Sequence, residues 1–272
     1  MQHFTKWKCN TARLAFAFAD APVSGDGTHT HSVYVESKMD TVISIFDSYD
    51  IKVILDNHNV GDHKAYCGST AWKNNWKQIA RHYKGDNRIA GFNIFNEPTK
   101  DTWASGITTK EQFIQAMGDC IDIIRQEDPT RTIFFPCCYG MAIDLDNPYT
   151  LNNLLKSKGI LAKGNVVIDI GHPYYFENKW DLYATPSLTP EVVANNFEQD
   201  IIIPSVALYG SENCWIGETA AFLGKTNDYQ IRWLKSFINY CLRHDVGLQV
   251  WAYFGKIAIQ EEALTASKYL DV

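Results

Sequence analysis

The chain has 272 residues, a formal net charge of -6 and a hydrophobic content of 46%. That length supports one large core, with about three quarters of the unfolded surface buried. The acidic balance disfavours a nucleic-acid partner, and no apolar run reaches the ~18 residues of a membrane span.

Met1 leads into QHFTKWKCN, which has no apolar segment of a secretory signal, so export is expected only where a leader precedes this sequence. Thr11–Phe18 is the first predicted strand. Met39, Val42, Ile43, Phe46 and Tyr49 follow at helical spacing. Ile51–Leu55 is the next strand, followed by a helix carrying Trp72, Trp76, Ile79 and Tyr83. Ile89–Ile94 is the third strand. The stripe Phe113, Ile114, Met117, Ile121 and Ile124 predicts a helix that starts in a Thr109/Gln112 capping box and stops at Asp128-Pro129. Strands are predicted over Thr132–Phe135 and Val166–Ile170. Thr189-Pro190 reads as a helix N-cap with proline at the first helical position. Trp215–Gly217 and Leu248–Tyr253 are the last strands, with the helical stripe Tyr229, Trp233, Phe237 and Tyr240 between them. A closing helix is expected from Ile257 to Leu270.

Near-continuous apolar strands alternating with amphipathic helices point to a parallel sheet covered by helices. No linker or low-complexity tract interrupts the rhythm. The expected fold class is α/β, a (β/α)8 barrel in one domain over residues 1–272, lacking or truncating its first strand because only seven strands are visible. A doubly wound sheet is the second choice. The seven cysteines show neither CxxC nor Cys/His ligand spacing and read mainly as small buried apolar groups, with a disulfide or two as the alternative.

Several strands end in polar residues: VILDNHN (Val53 to Asn59), IAGFNIFNEP (Ile89 to Pro98), IDIGHPYYF (Ile168 to Phe176), WIGETAAF (Trp215 to Phe222) and VWAYFG (Val250 to Gly255). Barrel active sites form where the C-terminal strand ends converge. Two carboxylates placed there, Glu97 and Glu218, suit glycoside hydrolysis, one protonating the leaving oxygen and the other attacking the anomeric carbon. Arg13 is the residue type that keeps a carboxylate ionised, and Tyr174 could donate a hydrogen bond to it. Taken singly, each residue has a plainer reading. Glu97 before proline is also a loop glutamate, and Glu218 a helix N-terminal carboxylate. Arg13 also serves buried carbonyls, and His58 and His172 are also core-edge histidines or metal ligands.

The chain resembles glycoside hydrolase family 5, the cellulase and mannanase family of the retaining (β/α)8 β-glycosidase clan. FNIFNEP resembles the family's fourth-strand signature, which implies Glu97 as acid/base and Asn96 as holder of the substrate's 2-hydroxyl. WIGET is similar to the seventh-strand motif and implies Glu218 as nucleophile. NTARLAF places Arg13 beside that nucleophile, VILDNHN places His58 in the substrate site, and GHPYYF carries His172 and Tyr174. Three departures stand out: the absent first strand, Asn57 where leucine is usual, and Phe254 where a tryptophan is frequent. Trp251 is then the candidate sugar platform, and Asn57 is expected to alter the nearby pocket.

The resemblance implies an endo-acting hydrolase of β-1,4-glucan working by double displacement, with the carboxyls about 5–5.5 Å apart and no cofactor or metal. The partner is a β-linked polysaccharide or oligosaccharide, with neither nucleic acid nor membrane involved. β-Mannanase or another β-glycosidase activity is the alternative within the class. A barrel that binds glycan without turnover is the alternative outside it.

Overall fold

Apolar runs with no polar face to give to water form parallel strands and hide both faces under helices. The computed structural model describes residues 9–21, 32–58, 66–136, 148–175, 188–221 and 229–250. The fold class is α/β, the strand–helix alternation of (β/α)8 barrels, and among the described residues no strand precedes Thr11. Two compact units divide the chain, Met1–Leu145 with Thr150–Ile168, and Asp146–Tyr149 with Asp169–Val272.

In the first unit, β1 (Thr11–Phe16), β2 (Lys52–Asn57), β3 (Ile89–Asn93), β4 (Ile133–Phe135) and β5 (Val166–Asp169, its last residue in the second unit) pair in sequence order, every pair parallel. Helices α1 (Glu36–Asp47), α2 (Thr70–His82), α3 (Lys110–Glu127) and α4 (Pro148–Ser157) alternate with these strands. The Thr109/Gln112 capping box forms as predicted: Thr109 Oγ1 accepts from the Gln112 N–H, and Gln112 Oε1 accepts from the Thr109 N–H. All five residues of the predicted α3 stripe are buried. The stripe predicted here is narrower than its spacing suggests, because Ile43 and Phe46 are buried while Val42 is exposed, and Tyr49, also exposed, lies past the end of α1.

Arg131, two residues before β4, ties the start of β3 to the turn that precedes it. It pairs with Asp128 and donates to the carbonyls of Tyr83, Asp86 and Ile89. A buried guanidinium is tolerated because its donors meet a charge and fixed carbonyls.

In the second unit, β7 (Cys214–Ala221) pairs in parallel with the two-residue β6 (Tyr174–Tyr175) and with β8 (Gly247–Val250). Just past β5, the Ile170 N–H donates to the Trp215 carbonyl. Helix α5 (Pro190–Phe197) opens with Thr189 Oγ1 accepting from the Val192 N–H, the predicted cap. A π-helical turn, Glu198–Ile202, joins it to α6 (Ile203–Tyr209). Helix α7 (Tyr229–Arg243) buries Trp233 and Phe237, which stack with ring centroids 5.1 Å apart, while Tyr229 is exposed.

Strand β7 runs well beyond the Gly217 predicted as its end, and β1 stops at Phe16 rather than Phe18. The closing helix at 257–270 and the tail of the last predicted strand lie outside the described residues. Cys67, Cys120, Cys214 and Cys241 are buried, in keeping with the apolar reading, and Cys9 is half-buried. Burial pushes the Cys214 and Cys241 thiols up to about 12, which leaves them inert at neutral pH.

Candidate active site

Side chains two apart on a strand share a face, and partners in a parallel register point the same way. Arg13 pairs with Ile54, Ala15 with Asp56, and Asp56 with Asn93, so Arg13, Asp56 and Asn93 lie on one face of the sheet. Ala15 puts only a methyl group opposite Asp56, which leaves room for Arg13 to reach it. The Arg13 guanidinium stands 3.2 Å from Asp56 Oδ1 and donates to Asn96 Oδ1 at 2.6 Å. Asp56 Oδ2 lies 2.6 Å from His58 Nδ1, and Asn93 Nδ2 donates to Asp56 Oδ1 at 3.0 Å. Asn96 Nδ2 lies 3.1 Å from His58 Nε2. Asp56, His58, Asn93 and Asn96 are all buried.

Strand β3 ends at Asn93, and the segment that follows is tied down from both sides. The indoles of Trp72 and Trp76, one turn apart on α2, both donate to the Ile94 carbonyl, at 3.2 and 2.8 Å. The Asn96 N–H donates to the Asn57 carbonyl. Beyond Pro98, Thr102 closes a short turn through its hydroxyl, which accepts from the Thr99 N–H and donates to the Thr99 carbonyl. Between these anchors Glu97 has φ +41°. Non-glycine residues with positive φ are uncommon, and asparagine and aspartate supply most of them. Asp50, Asn165 and Asp245 fit that rule, each in the turn before a strand. Glu97 does not fit it. Such a conformation costs about 1–3 kcal/mol and persists only where its surroundings impose it.

Asn57, expected to alter the pocket, turns the other way. Its Oδ1 accepts from the Trp72 indole at 3.1 Å in the layer between sheet and helix. The alternation of β2 puts Asp56 and His58 on one face and Asn57 on the other.

In the second unit a similar arrangement sits against Gly217, the residue before Glu218 on β7. Asp169 Oδ2 lies 2.6 Å from His172 Nε2, and Asp169 Oδ1 accepts from the N–H groups of Gly171 and Gly217. Both Asp169 and His172 are about 1% exposed. A Cβ at position 217 would come within 2.1 Å of Asp169 Oδ2 and 2.7 Å of His172 Nε2, so only glycine fits immediately before Glu218. Thr219 Oγ1 donates to the Pro173 carbonyl and ties β7 to the turn that carries His172. Glu218 itself is 6% exposed.

The sequence-predicted residues therefore fall into two groups: Arg13, His58, Asn96 and Glu97 in the first unit, His172 and Glu218 in the second. Tyr174 pairs through its backbone with Ala220. The side chain of Tyr174 and all of Trp251 lie outside the described residues. Sequence reasoning missed Asp56, Asn93 and Asp169. The signal was available for two of them, an aspartate two or three residues before each singled-out histidine at a strand end.

The family model for cellulase, glycosyl hydrolase family 5, matches residues 1–198, a span that includes Glu97 and stops short of Glu218. No curated protein matches the chain significantly. Among solved structures, endoglucanase Cel5A of Pseudomonas stutzeri superposes with a TM-score of 0.72 at 18% identity, over 98% of this chain and 83% of that one. The same enzyme in complex with cellobiose gives 0.64 at 18% identity, over 94% and 76%. Endoglucanase Cel5A of Thermotoga maritima gives 0.65 at 14% identity, over 96% and 84%. The β-glucanase SdGluc5_26A of Saccharophagus degradans gives 0.64 at 17% identity, over 94% and 73%. At these identities the structures speak for the fold, whereas the family match covers well over half of the sequence. The chain belongs to the cellulase family, glycosyl hydrolase family 5.

Proposed function

We propose that this family 5 hydrolase cuts β-1,4-linked glucan internally by retaining double displacement, in one catalytic domain over residues 1–272. Glu218 is the nucleophile and Glu97 the acid/base. The observation that carries the reading is the strained backbone of Glu97, which follows Asn96 of the buried Arg13–Asp56–His58–Asn96 network and lies between fixed anchors. Backbone strain imposed at one glutamate past a strand end is what positioning a proton donor calls for. The cellobiose complex of the Pseudomonas stutzeri endoglucanase supports a cello-oligosaccharide as the ligand class.

In the first step Glu218 attacks the anomeric carbon while protonated Glu97 gives its proton to the departing glycosidic oxygen. In the second, Glu97 takes a proton from water, and the water displaces Glu218 from the sugar. Two inversions give retention. Asn96 uses one Nδ2 hydrogen toward His58, and the second serves the sugar's 2-hydroxyl, a contact that tightens in the oxocarbenium-like transition state. Arg13 and Tyr174 hold Glu218 ionised, His58 and His172 contact substrate, and Trp251 is the sugar platform. Every step moves a proton or a glycosyl group between carboxylates and water, so the chemistry calls on no cofactor.

The test is release of reducing ends from carboxymethyl cellulose, barley β-glucan, glucomannan, galactomannan and xylan, with Glu218→Ala alongside. Release from the glucans, absent in the variant, is the expected result. Release from galactomannan alone would move the substrate to mannan, and activity surviving Glu218→Ala would remove the nucleophile assignment. The rate should pass through a maximum with pH, because one carboxyl must be protonated while the other is ionised. A flat profile would reject the two-glutamate mechanism.

A further inference from the structure

We propose that Asp56 is a positioning residue for the reaction, closing a ring of four buried side chains that locks the Asn96 amide in one orientation beside Glu97. The proposal rests on the roles assigned above to Asn96 and Glu97. The ring runs from Asp56 Oδ1 to the Arg13 guanidinium (3.2 Å), on to Asn96 Oδ1 (2.6 Å), from Asn96 Nδ2 to His58 Nε2 (3.1 Å), and from His58 Nδ1 back to Asp56 Oδ2 (2.6 Å).

Donors and acceptors close this ring in one way. A guanidinium only donates and a carboxylate only accepts. Arg13 therefore takes the oxygen end of the Asn96 amide, and the nitrogen end faces His58 Nε2. That nitrogen must accept, so the imidazole proton sits on Nδ1 and points at Asp56. Turning the amide over would set its NH2 against the Arg13 donors. It would also require a proton on Nε2, and in a neutral ring that leaves Nδ1 facing a carboxylate oxygen with no hydrogen between them. Each fault strands buried polar groups without partners. The charges also balance, Asp56 against Arg13, with His58 neutral. Asn93 gives Asp56 a further donor from outside the ring.

Asp56 never touches the substrate in this reading. It acts through His58 and Arg13, each of which meets one end of the Asn96 amide. Asp56→Asn keeps the shape and reverses the logic. An amide NH2 turned toward His58 moves the imidazole proton to Nε2, against the Asn96 NH2. Turned the other way, it opposes Arg13 and Asn93. Either way Asn96 loses its fixed orientation, and with it a hydrogen bond that is strongest in the transition state.

The experiment has two parts. The first is the 15N ring spectrum of His58 in the wild-type protein at the pH of greatest activity. A proton on Nδ1 alone is expected; a proton on Nε2, or on both nitrogens, overturns the ring. The second is Asp56→Asn assayed on carboxymethyl cellulose. Expected is a fall in kcat of about 100-fold with KM within about threefold, together with a shift of the His58 proton. A folded variant that keeps a third or more of wild-type kcat, or that loses only in KM, overturns the positioning role. If Asp56→Asn does not fold, the wild-type spectrum decides alone. If the wild type releases nothing from any glucan, the proposed function fails while the spectrum still tests the ring.

Discussion

Glu97 has a positive φ and Gly217 has no room for a side chain; the first is a proposed catalytic carboxylate and the second immediately precedes one. Gly217 is fixed by crowding, since the Asp169–His172 pair occupies the space of its missing side chain. Gly217→Ala is therefore expected to cost about 1–3 kcal/mol by overpacking and to lower kcat at least tenfold by displacing Glu218. Thermal melting and turnover measured on the same preparation check both. Asn57 offers the contrasting case. It faces Trp72 rather than the site, and Trp72 has a second acceptor in the Ile94 carbonyl. Asn57→Leu should cost about 1 kcal/mol or less and leave kcat/KM unchanged. A changed kcat/KM would mean that this position does shape the pocket.

Helix α2 does more than cover the sheet. Its two buried tryptophans place both indole N–H groups on one carbonyl, three residues before Glu97. Helical periodicity set Trp72 and Trp76 on the same face, which the sequence shows directly. Which backbone group they would meet depends on where β3 ends, and that is a property of the assembled sheet. The double variant Trp72→Phe/Trp76→Phe removes both donors and should destabilise the fold by about 2–3 kcal/mol. It should also lower kcat, because the segment holding Glu97 loses an anchor. Urea denaturation and turnover are the readouts, and a destabilised variant with full kcat would separate the anchor from the chemistry. The same contrast runs through the other elements. The α3 cap and stripe are local and were legible in the sequence. The exposure of Val42 on α1 and of Tyr49 just past its end depends on what packs against that helix and was not.

For the molecule as a whole, the folded state holds several carboxylates below their ordinary range. Burial alone would raise the Glu198 carboxyl, but Arg243 and His244 outweigh it and hold it below 4.5. Arg232 does the same for Glu191, and Arg88 for Asp86. A carboxyl with a lowered folded-state pKa contributes stability above its unfolded pKa and loses it as pH falls through the folded value. Stability should thus be level near neutrality and decline below about pH 4.5. Glu198→Gln should flatten part of that decline while lowering stability at pH 7, because Arg243 and His244 then lose a buried charge partner. Denaturation midpoints taken across the acid range decide the matter, and an unchanged acid limb in the variant would acquit Glu198.

The amino-acid sequence by itself determined the strand–helix alternation, because the burial of both faces of a parallel sheet is written as uninterrupted apolar runs. It also determined which residue types stand at the strand ends, since Arg13, His58, Asn96, Glu97, His172 and Glu218 break those runs visibly. Only the tertiary structure decided which of these side chains meet, and through what. Asp56, Asn93 and Asp169 come from short polar interruptions that look like their neighbours in one dimension. Their importance arises because the register of separate strands brings donors and acceptors to hydrogen-bonding distance, and inside a protein each such group must find its partner or forfeit its solvation.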